Sequence, residues 1–167
     1  MTIGQSMLPE YDHEMATTRR CLESFPEDQN DWTPHEKSMT LSRLASHTAE
    51  VPSWIAPTLA QDSLDLNPPE GDPYKPPHYE TKDALLEAFD RDVVAGREAL
   101  AAATDEQMFG TWTMLSGGEV VMSMPRVAVV RSFVMNHLIH HRAQLGVYYR
   151  LLGIPVPAIY GPSADES

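Results

Sequence analysis

Cysteine is almost missing from this chain. Cys21 is the only one in 167 residues, so an internal disulfide and a multi-cysteine zinc site are both excluded. Basic residues are scarce as well. Twelve lysines and arginines stand against 24 acidic residues, a formal net charge of −12. Such a surface repels polyanions, which argues against binding nucleic acid. No run approaches the roughly 20 apolar residues that a bilayer span needs, so no membrane partner is expected. The first residues show no basic-then-apolar signal pattern. With one thiol and no signal pattern, the expected compartment is the reducing cytoplasm. A chain of this length suits a single domain, 1–167, that buries roughly 70 % of its unfolded surface. It needs no metal merely to fold.

What the chain does have is histidine in one place. Asn136-His137-Leu138-Ile139-His140-His141-Arg142-Ala143-Gln144-Leu145 holds three of its seven histidines. On a helix, His137 and His141 project from one face, one turn apart. His140 lies about 60° to one side at 3.6 residues per turn. Two imidazoles so placed can share a metal ion if another element brings a third ligand.

The periodicity supplies the elements. Residues 5–24 carry Leu8, Tyr11, Met15, Thr18 and Cys21 at helical spacing, and Pro26 closes that helix. Cys21 falls on the stripe and reads as a packed core thiol. Residues 26–38 form a polar loop in which Trp32 either pins the loop to the bundle or stacks on a ligand. Thr40 or Ser38 caps a second helix with Leu41, Leu44, Thr48, Val51 and Ile55 inward. Pro52 should kink or break it. His47 lies at the edge of that stripe. Glu50, one turn on, either orients the His47 imidazole or faces water.

Residues 64–80 contain five prolines and read as a long ordered loop. Thr81 opens a third helix to about Ala103, with Leu85, Leu86, Phe89, Val93, Val94 and Leu100 inward. Gly96 within it is a mild cost or a point of close helix packing. Two short β-prone runs flank Ser116-Gly117-Gly118 and suggest one hairpin. The last helix runs from Pro125 to a stop at Gly153. The irregular tail folds its apolar front half back on the bundle, and residues 164–167 are expected to fray.

The fold class is therefore all-α: a four-helix bundle with a long crossover loop and one short β-hairpin before the last helix. The second helix offers His47, and the last offers His137 and His141. Two readings fit this set. In one, a divalent cation satisfies three imidazoles and keeps a coordination position open, the layout of a catalytic centre. In the other, backbone carbonyls or water satisfy each ring in a polar core.

Several stretches together resemble the DinB-like (DinB/YfiT) metal-binding four-helix bundles, which are unrelated to the translesion polymerase of similar name. They are Met39-Thr40-Leu41-Ser42-Arg43-Leu44-Ala45-Ser46-His47, Met124-Pro125, the histidine-rich stretch, Leu151-Leu152-Gly153-Ile154-Pro155-Val156-Pro157, and the closing Tyr160-Gly161-Pro162-Ser163-Ala164-Asp165-Glu166. The resemblance places the family's histidine triad on His47, His137 and His141. His140 matches no ligand position. Glu50, His140 and Gln144 are the candidates to support the ligands. The resemblance implies a divalent ion: zinc or nickel by the nitrogen set, iron or manganese by what relatives hold. It also implies a homodimer. Some relatives are S-transferases, so a low-molecular-weight thiol and a small electrophile are the implied partners, and no catalytic residue can be named. Arg43, Arg142 and Arg150 are candidates to meet a thiol cosubstrate's carboxylate. A non-enzymatic metal-binding or stress-response protein and a metal-dependent hydrolase are the alternatives.

Overall fold

The computed structural model describes residues 1–166. Four helices make the bundle. Helix α1 (Ile3–Glu23) starts two residues before the periodicity suggests, because Thr2 and Gln5 form a reciprocal cap. Helix α2 (Leu41–Glu50) is capped by the Thr40 side chain. It stops where Pro52 removes a backbone donor, passes through a 3₁₀ turn (Val51–Trp54), and resumes as α3 (Ile55–Ala60). Helix α4 (Lys82–Ala102) is capped by Thr81, and the short α5 (Asp105–Phe109) by Thr104. The last long helix consists of α6 (Arg126–Ala128), a π-helical segment (Val129–Met135) and α7 (Asn136–Leu151). Helix α1 packs on α4 and α7, and α2 packs on the same two. No described helix is long and apolar enough to cross a membrane.

The hairpin is present as β2 (Thr111–Ser116) and β3 (Glu119–Pro125). A strand the sequence did not suggest, β1 (Ser63–Asp65), pairs parallel to β2 and completes a three-stranded sheet. Three residues followed by a proline-rich run carry no periodicity of their own. The pairing is fixed at long range instead, by the β2 backbone and by the Asp65 carboxylate, which accepts from the Gly117 and Gly118 amides. The sheet has a small core of its own: Trp112, Met114 and Val129, with Leu64, Leu66 and Phe133 against them. It thus packs on the π segment.

The main core follows the expected stripes with one correction. Val94 is 56 % exposed. Val93 and Val94 lie 100° apart on the helix, and the inward line runs through Phe89, Gly96 and Leu100. At Gly96 the helices approach so closely that a Cβ would stand 2.7 Å from the Tyr11 hydroxyl. Cys21 is buried as expected, and burial pushes its thiol up to about 12. Trp32 packs edge-on against Tyr148, with ring centroids 5.4 Å apart.

Two buried arginines act as staples. Arg126 donates to the carbonyls of Thr58, Gln61 and Thr111 and to the Asp62 carboxylate, which fixes the start of the last helix to α3 and β2. Arg142 pairs with Glu14 at 2.7 Å and donates to Tyr160, which joins α7 to α1 and the tail. Of the tail residues expected to fray, Asp165 and Glu166 are tied down. Asp165 meets Arg150 and the Val156 amide, and Glu166 meets Arg20 and the Ala158 amide. Ser167 lies outside the described residues.

Packing at α1 yields a test. A Cβ at Gly4 would collide with the Leu100 carbonyl oxygen, whereas one at Gly146 meets nothing nearer than Val156 at 3.6 Å. Gly4→Ala is expected to cost about 1–3 kcal/mol by overpacking. Gly146→Ala is expected to gain up to about 1 kcal/mol through helix propensity. Denaturant melts of the two variants check the contrast.

Candidate metal centre

Helices α2 and α7 bring His47, His137 and His141 together. One ligand nitrogen from each lies within 4.8 Å of the other two, and the ring centroids are 4.5–5.1 Å apart. The Nε2 atoms of His47 and His137 are 3.3 Å apart. Zinc–nitrogen bonds of 2.0–2.1 Å at a tetrahedral angle place two nitrogens about 3.3 Å apart. The triad is withdrawn from solvent: His141 is 8 % exposed and the His47 side chain 12 %.

Each ring is held by its other nitrogen. His47 Nδ1 faces the Glu50 carboxylate at 3.4 Å, His137 Nδ1 the Phe133 carbonyl at 3.2 Å, and His141 Nδ1 the Gln144 side-chain oxygen at 2.7 Å. All three partners are acceptors, so each Nδ1 carries the proton and each Nε2 is left with a free lone pair. The lone pairs of His47 and His137 then face each other at 3.3 Å, and a ring nitrogen of His141 lies within 4.8 Å of theirs. A cation resolves that arrangement, and orienting acceptors behind metal-binding imidazoles are the usual support. The residues present therefore fit a divalent ion.

Electrostatics agree with this geometry. Burial, then the neighbouring His47, lowers the His137 pKa. Burial, with His137 and His47 adding to it, lowers His141 to about 4 against the opposing hydrogen bond that its Nδ1–H donates to the Gln144 oxygen. Both shifts favour the neutral imidazole, the form that donates to a metal.

The expected supporting residues divide. Glu50 is buried and holds His47, and Gln144 holds His141. His140 is exposed and only packs its ring edge-on against His141, with centroids 5.0 Å apart. The third support, the Phe133 carbonyl, is backbone and leaves no mark on residue type. Nor does the π segment that carries it, where the Asn136 amide bonds back five residues to Arg131. Such segments are rare and cluster at functional sites.

The sequence also failed to show a cavity of about 450 Å³ beside the triad. His47 and Glu50 are part of its wall. The rest is mainly apolar: Trp54, Trp112, Met114, Phe133 and, from the first strand and the loop after it, Leu64 and Leu66. Trp54 stacks on Phe133 with centroids 5.7 Å apart and also flanks His47 and His137. Trp54 and Trp112 were visible as residue types, but nothing local marks two tryptophans 58 positions apart as neighbours. Among the three arginines considered for a cosubstrate carboxylate, only Arg43 lines this cavity. Arg142 is committed to Glu14, and Arg150 to Asp165.

Comparison with known proteins agrees with the architecture. The DinB family model matches residues 3–167. The YrdA protein of Bacillus subtilis (strain 168), which carries no assigned function, is 26 % identical over 160 residues, covering 95 % of this chain and 89 % of that one. A DinB-like protein from Bacillus cereus ATCC 10987 has a solved structure with a TM-score of 0.70 at 21 % identity. The match covers 93 % of this chain and 97 % of that one. A second DinB-like protein, YjoA from Bacillus subtilis, gives a TM-score of 0.67 at 17 % identity, over 93 % and 99 % of the two chains.

Two outcomes follow from the triad. His137→Ala is expected to lose bound metal, read by elemental analysis of protein made without a polyhistidine tag; wild-type metal content in that variant would remove the site. In metal-free protein, His137 and His141 resist protonation when folded and accept it when unfolded. Their contribution is complete above about pH 6.5 and is lost as the pH falls toward 4. Thermal melts should fall across that window, and His141→Gln should flatten the slope.

Proposed function

The chain belongs to the DinB family, and from that premise we propose that it binds a divalent metal ion through His47, His137 and His141 and uses it to transfer a low-molecular-weight thiol to a small electrophile. Zinc or nickel suits the three-nitrogen set best. The observation that carries the reading is the cavity. A metal held for structure or storage needs only its ligands, whereas here His47 belongs both to the triad and to the wall of a chamber large enough for a small molecule.

When bound there, a divalent ion supplies a Lewis-acid position that lowers the pKa of a coordinated thiol. The chain's own residues do the rest. Glu50, Phe133 and Gln144 hold the three rings in one tautomer, so that no ligand must turn or lose a proton before use. The apolar wall excludes water, which disfavours hydrolysis of the electrophile and strengthens local electrostatics. Trp54 stacks on Phe133, flanks the His47 and His137 rings and lines the cavity beside them, so it narrows the ways a substrate can approach. In the overall reaction the sulfur bonds to the electrophilic carbon, the leaving group departs with the bonding pair, and the thiol proton passes to solvent.

The test is conjugation. Untagged, metal-loaded protein is mixed with glutathione, bacillithiol or mycothiol and 1-chloro-2,4-dinitrobenzene. One thiol is expected to give product above background, and His137→Ala is expected to fall to the uncatalysed rate. If removing the metal melts the fold and no thiol gives product, the chain is a non-enzymatic metal-binding protein. Electrophile consumed without sulfur in the product would point to a metal-dependent hydrolase.

A further inference from the structure

The chain has nine arginines. Eight of them meet a carboxylate: Arg19, Arg20, Arg91, Arg97, Arg126, Arg131, Arg142 and Arg150. In a chain with twice as many acidic as basic side chains, that is the expected fate of a guanidinium. Arg43 is the exception among the described residues, and it lies in the wall of the cavity beside the triad. It precedes His47 by four positions on α2, so the two share one face, about 6 Å apart along the axis. The carboxylate in the same wall, Glu50, is engaged by His47. Tryptophan, phenylalanine, leucine, methionine and valine make up most of the remaining lining residues.

An apolar chamber with one uncommitted planar cation at its edge selects a particular ligand. We infer that the cavity takes a small aromatic or branched apolar acid, its hydrocarbon body between Trp54, Trp112 and Phe133 and its carboxylate on the Arg43 guanidinium. The apolar body supplies affinity through burial. The carboxylate supplies orientation, because guanidinium and carboxylate pair in a fixed bidentate geometry. The pairing also overcomes the repulsion that a net charge of −12 imposes on an incoming anion. Arg43 is then a specificity residue: it decides which apolar molecules are held with a defined end toward α2. The inference depends on the proposed function only in treating the cavity as the substrate chamber of the metal centre.

Isothermal titration of the full chain with 1-naphthoate and its neutral counterpart 1-naphthamide tests this, in EDTA-stripped and zinc-loaded protein. Naphthoate is expected to bind roughly tenfold or more tightly than naphthamide in both forms, the gain typical of a hydrogen-bonded charge. Arg43→Gln should bring naphthoate to the naphthamide level and leave naphthamide unchanged. Leu66→Trp, which narrows the chamber from its partly exposed side, should weaken both ligands. Equal affinity for the two ligands, or no binding of either, overturns the inference. So does a naphthoate preference that survives Arg43→Gln, or one that appears only with zinc, which would put the carboxylate on the metal. Failure to retain zinc would remove the metal reading and leave the naphthoate comparison intact.

Discussion

Three imidazoles that bring a nitrogen each within 4.8 Å of one another are an unstable arrangement without a cation, and much of the local structure keeps them there. Each Nδ1 is held by an acceptor: a carboxylate on α2, a backbone carbonyl of the π segment, and an amide side chain on α7. Remove those acceptors and a ring can turn or change tautomer, after which two of the histidines can hydrogen-bond each other. With the acceptors in place, the Nε2 atoms have no protein donor to turn to. The cost of that unsatisfied polarity in a half-buried site is what metal affinity draws on.

Two interruptions of regular helix position this centre. Pro52 ends α2 just after Glu50, and the 3₁₀ turn that follows brings Trp54 beside His47 and His137. The π segment ends one residue before α7 begins with Asn136, and it places Phe133 to wall the cavity while its carbonyl holds His137. The π segment packs on the three-stranded sheet, and both breaks contribute residues to the wall of the chamber. The sheet is itself fixed to the bundle by Arg126, whose buried guanidinium satisfies three carbonyls and one carboxylate. A charge so fully paired is tolerated inside the fold where an unpaired one is not.

The histidine triad and the chamber are thus joined through few residues. His47 belongs to both, and Glu50 touches both. Arg43 sits one turn before His47 on the same helix face. The other two arginines that sequence alone made equal candidates are consumed in structural pairs, Arg142 in a buried one with Glu14 and Tyr160. Which arginine is free to meet a ligand is a property of the packed molecule.

The sequence by itself determined where the long helices lie, the caps at Thr40 and Thr81, and the three histidines as candidate ligands. These depend on local physics: apolar spacing near 3.6, a side-chain oxygen before the first turn, proline and glycine at the ends. Residues such as Thr40, Pro52, Thr81 and Gly153 act within a few positions of themselves, so their effects could be read in order. Tertiary structure alone decided the rest. The strand Ser63–Asp65 has no pattern of its own and exists because β2 lies beside it. The π turn is a compromise of backbone hydrogen bonding that no residue type announces. The cavity is formed by side chains from positions 43 to 134, whose adjacency depends on the whole chain closing. Local interactions select elements; only packing selects which of their side chains meet.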